Sequence, residues 1–156
     1  IRSTPTTIII SFDIDDTLTP YGDNFEVEPR GIKARLLKAE SLRLGTIKLF
    51  NILEDRGHTI WIYTTSFRSI YTLKKTFLAY GLRPARYINQ TINQEVLKRS
   101  HCNASKNARL FGIDLHIDDL PGVGMEGEKY GFKTLIIAPK DTDWVQKILI
   151  KTALMT

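Results

Sequence analysis

The chain has 156 residues, 42% of them hydrophobic and 25% charged, with a formal net charge of +5. That size suits one domain, 1–156, with a sizeable core, and the balance is that of a soluble globular protein rather than a disordered one. No apolar run approaches the ~18 residues of a membrane span, and the lone Cys102 excludes an internal disulfide.

Ile1-Arg2-Ser3-Thr4-Pro5 lacks a signal-peptide core, so a reducing, cytoplasmic setting is expected and no membrane partner. The positive charge is spread along the chain. It favours anionic substrates such as phosphate esters but does not by itself indicate nucleic acid. Lys74-Lys75 and Lys98-Arg99 read as solvated helix faces. Asn89-Gln90-Thr91 and Asn103-Ala104-Ser105 match glycosylation acceptors and, without a secretory signal, read as chance matches.

A first strand is predicted over about 7–12. Its apolar run Ile8-Ile9-Ile10-Ser11-Phe12 breaks into Asp13, Asp15 and Asp16. A β-branched run of this kind reads as a buried parallel strand, and open parallel sheets bind ligands beyond their carboxyl ends. Segment 20–44 is broken by Pro20, Gly22, Pro29 and Gly31 and reads as an excursion over the site, with a short helix within 30–39. Helical spacing covers 46–56, and Gly57 stops it. A second strand, 58–63, ends in Thr64-Thr65-Ser66, with Ser66 expected to cap a helix over about 67–80 that turns Ile70, Leu73 and Phe77 inward. A short strand follows at 86–88. Thr91 and Gln94 read as a capping box for a helix through Lys98.

Residues 103–112 read as a helical turn or two, and 113–117 as a strand that breaks into Asp118-Asp119. A glycine-rich segment occupies 122–131. The last strand is predicted at 133–138, and Asp141 caps a final helix with Trp144, Val145, Ile148 and Leu149 inward. Strands alternating with helices give an α/β, three-layer, Rossmann-like fold with a parallel sheet of about five strands and right-handed crossovers.

Carboxylates crowded at strand ends repel one another and are costly to desolvate; a divalent cation relieves both, and hard oxygen donors suit Mg²⁺. The spacing Asp13-x-Asp15-x-Thr17 after a buried strand resembles the first motif of the haloacid dehalogenase superfamily of phosphohydrolases. The hydroxyls Thr64 and Thr65, the lysines and the pair Asp118-Asp119 follow in that family's order. The resemblance implies Asp13 as the nucleophile forming an aspartyl-phosphate and Asp15 as the general acid/base. Thr17 braces the turn. The resemblance further implies that Thr64, with Thr65 beside it, binds the transferring phosphoryl and that a lysine pairs with phosphoryl and nucleophile. Lys106 is preferred to Lys98 because it opens the element feeding the acidic strand. For Mg²⁺ the resemblance implies Asp13, the main-chain carbonyl of Asp15, Asp118 directly and Asp119 in support. An acid at position 15 argues for phosphate esters rather than carbon–halogen bonds.

Other patterns compete. Gly122-Val123-Gly124-Met125-Glu126-Gly127 matches a dinucleotide fingerprint, but Asp118 and Asp119 would repel a pyrophosphate there. His116 and Asp118 share a strand side and could pair on a transition metal, although a structural histidine is the better reading. A phospho-accepting receiver module, with Lys140 late in the chain, would need an acceptor Asp on the third strand, and 86–88 offers none. A catalytically silent binding domain is a further alternative. The short 20–44 segment leaves no room for a cap domain. The expected enzyme is therefore a capless member with an open site. It would act on a phosphorylated, bulky or macromolecular substrate read by 20–44 or by a neighbouring subunit of a homo-oligomer.

Overall fold

The computed structural model describes residues 6–156; Ile1–Pro5, which carry the signal-peptide expectation, lie outside the described residues. Five strands form one parallel sheet: β1 (Ile9–Phe12), β2 (Thr59–Tyr63), β3 (Arg86–Ile88), β4 (Leu115–Asp118) and β5 (Thr134–Ile136). Their spatial order is β3-β2-β1-β4-β5. The helices are α1 (Ile32–Leu36), α2 (Thr46–Asp55), α3 (Ile70–Ala79), α4 (Gln90–Arg99), α5 (Pro121–Tyr130) and α6 (Trp144–Leu154), with a 3₁₀ turn at Ala108–Phe111.

The sheet separates two cores. On one face Leu49, Phe50 and Leu53 of α2, Leu73 and Phe77 of α3 and Ile148 and Leu149 of α6 pack on Ile10, Phe12, Ile60, Ile62 and Ile117. On the other, Val123 of α5 and Ala108 and Phe111 of the 3₁₀ turn pack on Tyr63 and Ile88, with Ile92 and Val96 of α4 alongside. The result is the three-layer α/β architecture expected. From β1 the chain winds outward through β2 to β3, then returns to the other side of β1 for β4 and β5. The winding thus reverses between β1 and β4, and a crevice opens at such a switch point.

Several boundaries differ from expectation. Ser69, not Ser66, caps α3, accepting from Thr72 N, so the helix begins at Ile70, and Ile70 faces outward. Asn89, not Thr91, caps α4, accepting from Ile92 N. Asn89 is also buried, which leaves no space for a glycan there. Asp141 accepts from Asp143 N ahead of α6, and Asp143 takes the N-cap position without a side-chain bond. The glycine-rich 122–131 is the body of α5. Gly127 approaches β5 so closely that a Cβ there would lie 2.7 Å from the Phe132 carbonyl oxygen, and Gly124 packs on Ile136. Gly124 and Gly127 thus serve helix-on-strand packing, whereas Gly122 meets nothing within 4 Å.

Candidate active site

The site begins where β1 runs out of apolar residues. Asp13 N still donates to Ile117 O on β4 at 2.9 Å, so the ladder carries Asp13 to the end of the sheet. The chain then folds into a tight turn in which Leu18 N and Thr19 N both donate to Ile14 O. Asp16 sits there at φ 59, a left-handed conformation Asp tolerates, and its carboxylate accepts from Tyr21 N and Asn24 Nδ2. Asp16 therefore holds the turn and the start of segment 20–44. Thr17, folded back, places its Oγ1 3.1 Å from both Asp13 Oδ2 and Asp119 Oδ1.

Lys106 reaches the same point from the segment between α4 and the 3₁₀ turn. Its buried ammonium donates to Asp13 Oδ1 at 2.8 Å and to Asp118 Oδ2 at 2.7 Å, and it lies 5.3 Å from the centre of the Tyr63 ring. The segment is pinned on both sides. Asn93 Nδ2 donates to Ser105 O, Tyr63 Oη accepts from Asn107 N, and Glu126 of α5 accepts from Ser105 N and Oγ. Lys98, the other lysine considered, is exposed on α4.

Beneath the cluster lies His116, beside Asp118 on the strand side they share, with Ser11 as a partner that residue spacing did not single out. His116 is wholly buried, with Nδ1 2.7 Å from Ser11 Oγ and Nε2 2.8 Å from Asp118 Oδ2. Lys106 Nζ lies 3.3 Å from Nε2, but the carboxylate is the nearer partner and can only accept, so Nε2–H donates to Asp118 and the Ser11 hydroxyl donates to Nδ1. Burial first, then the Lys106 charge, lowers the His116 pKa and keeps the ring neutral. Burial works against the charge of Lys106, but Asp13 and Asp118 outweigh it and raise the pKa, so the ammonium persists. Asp118 is likewise buried, yet the His116 hydrogen bond and the Lys106 charge hold it well below the usual carboxylate range. Asp119 moves the other way. Burial, the hydrogen bond and charge of Asp13 and the charge of Asp118 push it up to about 7 against the Thr17 bond.

Asp13, Asp118 and Asp119 each offer an oxygen within 4.8 Å of the others. An all-oxygen set with one member driven toward neutrality by burial and by its neighbours fits a hard divalent cation such as Mg²⁺, which would offset both. The side chain of His116 faces Asp118 and Ser11, as a structural histidine does.

Asp15 stands apart. Its carboxylate is not among the three clustered ones and is held by Arg68 through two bonds of 3.2 and 2.9 Å; the same guanidinium donates to Glu40 at 2.8 Å. The Asp15 side chain is 55% exposed and that of Arg68 20%. Arg68 was not foreseen, and neither was Glu40. They belong to the loop after β2 and to segment 20–44, and only the fold brings them to Asp15. Thr64 is buried at the end of β2 and accepts from Ser66 N at 3.0 Å, whereas Thr65 is exposed. Ser66 Oγ is buried with no hydrogen-bond partner among the described residues. Arg43 is a further unforeseen buried charge. It donates to the carbonyls of Thr17, Ala138, Pro139 and Asp141, between the rings of Phe25 and Trp144. It ties segment 20–44 and the acidic turn to the loop after β5.

No family model and no curated protein matches the chain. Among solved structures, one described as "The structure of a predicted HAD-like family hydrolase from Porphyromonas gingivalis" is similar. It shares 15% identity, covers 96% of this chain and 98% of that chain, and superposes with a TM-score of 0.48.

Proposed function

We propose that this protein is a phosphomonoesterase of the haloacid dehalogenase-like kind, with Asp13 as nucleophile. The observation that carries the proposal is the buried Lys106 ammonium spanning Asp13 and Asp118 at 2.8 and 2.7 Å, at the switch point of a parallel sheet. A cation beside a carboxylate nucleophile favours an incoming phosphoryl group and steadies the charge that develops on it.

In the first half, an Asp13 oxygen forms a bond to phosphorus as the ester P–O bond breaks. Asp15, freed from Arg68 and protonated, delivers its proton to the departing oxygen. In the second half, Asp15 takes a proton from water as that water attacks the aspartyl-phosphate, which releases phosphate and restores Asp13. Thr64 and Lys106 hold the phosphoryl oxygens, with Thr65 at the rim, and Thr17 fixes Asp13. Asp13, Asp118 and the Asp15 carbonyl would hold Mg²⁺, supported by Asp119. The ion supplies charge neutralisation at the phosphoryl oxygens. The protein is further proposed to be a capless cytoplasmic member that acts on bulky carriers.

The test is hydrolysis of p-nitrophenyl phosphate with Mg²⁺ and with a chelator. Asp13→Asn should abolish turnover while its circular dichroism and melting stay those of the parent. Full turnover in that variant or in chelator would refute the mechanism. Stable self-phosphorylation from small phosphodonors with negligible ester turnover would favour a receiver-like module instead.

A further inference from the structure

Asp118 has no lone pair to spare. Its Oδ2 accepts from Lys106 Nζ at 2.7 Å and His116 Nε2 at 2.8 Å. Its Oδ1 accepts from Asp119 N at 2.9 Å and Leu120 N at 3.1 Å. An ionised carboxylate offers about four acceptor positions, and four donors fill them. A cation that is to bind Asp118 must therefore take the place of one donor.

Three of the four are fixed. Two are main-chain groups where β4 turns into α5. The third, His116, is wholly buried in its strand and backed by Ser11 Oγ at 2.7 Å. Lys106 differs, since its ammonium rides on a flexible four-carbon stem and can turn about it. It also keeps other partners when it leaves Asp118: Asp13 Oδ1 at 2.8 Å and the face of Tyr63. Ammonium and metal ion are like charges seeking the same oxygen in a poorly solvated site, where their repulsion is large.

We propose that the Lys106 ammonium is a built-in occupant of the carboxylate cluster, and that a divalent cation binds by displacing it from Asp118. The proposal rests on the metal assignment made above. An anion that receives the displaced ammonium, such as inorganic phosphate, then strengthens metal binding, so the site loads cation and phosphoryl group together.

The test is direct binding of Mn²⁺, followed by the electron paramagnetic resonance of the free ion, on chelator-treated wild type and Lys106→Met. The variant should bind Mn²⁺ tighter by about tenfold or more, because a neutral side chain no longer repels the ion. Equal or weaker binding in a variant with native circular dichroism overturns the proposal. Lys106→Met leaves three carboxylates facing one another, so a second measurement uses wild type alone. With ¹⁵Nζ-labelled lysine, saturating Mg²⁺ must shift the Lys106 Nζ resonance; an unmoved resonance at saturation overturns the displacement. Binding of Mn²⁺ to neither protein overturns this proposal and the metal assignment together. Loss of phosphatase activity as a reading, with the binding results as expected, leaves the displacement standing.

Discussion

Arg43 and Asp15 are both charged and both lie beside the acidic turn, but their surroundings set opposite kinds of consequence. Arg43 is almost wholly enclosed, and four carbonyl oxygens depend on its guanidinium. Its pKa is lowered by burial, with Asp141 and Asp119 opposing that shift. Truncation strands buried acceptors, at about 1–3 kcal/mol for each that finds no water. Arg43→Met should therefore lower stability by about 3 kcal/mol or more, read as the urea midpoint, and Arg43→Lys should recover only part because one ammonium cannot span the fork. An unchanged midpoint would show that the carbonyls find other partners. Asp15, half exposed, matters for chemistry instead. If it is the acid/base, Asp15→Asn should slow esters with poor leaving groups most, because those need the proton, while activated aryl esters lose least. Equal losses across a leaving-group series would contradict that role.

Helix α5 shows how an element can be hidden in its own sequence. Pro121, Gly122, Gly124 and Gly127 are poor helix formers, so local propensity argues against a helix there. The helix forms because β4 delivers the chain to it, Pro121 suits the first turn, and the glycines let it lie against β5. The two ends of the helix should respond oppositely to alanine. Gly127→Ala puts a Cβ 2.7 Å from a backbone oxygen that cannot yield. Overpacking of about 1–3 kcal/mol should outweigh the ~1 kcal/mol gained in propensity. Gly122→Ala meets nothing within 4 Å and should stabilise by up to ~1 kcal/mol. Thermal melts of the two variants decide it, and stabilisation of Gly127→Ala would refute the packing account. The strands were more legible, because a β-branched run ending in acids is both a buried strand and a site. The start of α3 was not, since Ser66 and Ser69 are equally plausible caps and only tertiary contacts choose between them. Arg68 and Arg43 stayed invisible for a related reason. Their hydrogen-bond partners lie 26 to 98 residues away, and nothing local marks an arginine as buried.

The arrangement of the whole sheet bears on what can reach the site. Asp13 follows β1 and Asp118 closes the adjacent β4, on either side of the winding reversal, so the cluster stands at the carboxyl edge of the sheet. From β1 to α2 the chain passes through 20–44 with one five-residue helix, and from β2 to Lys106 through α3, β3 and α4. Among the described residues neither interval holds a cap-sized insertion. The segments after the three central strands each carry an exposed large hydrophobic residue: Tyr21 82%, Phe67 69% and Leu120 57%. Each is tied to the site by its backbone. Tyr21 N donates to Asp16, Leu120 N donates to Asp118, and Phe67 directly precedes Arg68. The open site proposed above would, with these residues at its rim, hold a small polar metabolite weakly beyond its phosphoryl group but lie against a large carrier. A panel of small phosphometabolites assayed beside phosphopeptides and end-phosphorylated oligonucleotides should show high KM for the former and a lower one for a macromolecular phosphate. Replacing Phe67 and Tyr21 by Ser should raise KM for the large substrate and leave p-nitrophenyl phosphate turnover at saturation unchanged. One small metabolite turned over by a monomer with low-micromolar KM would show that segment 20–44 closes over the site, and the open-mouth account would fail.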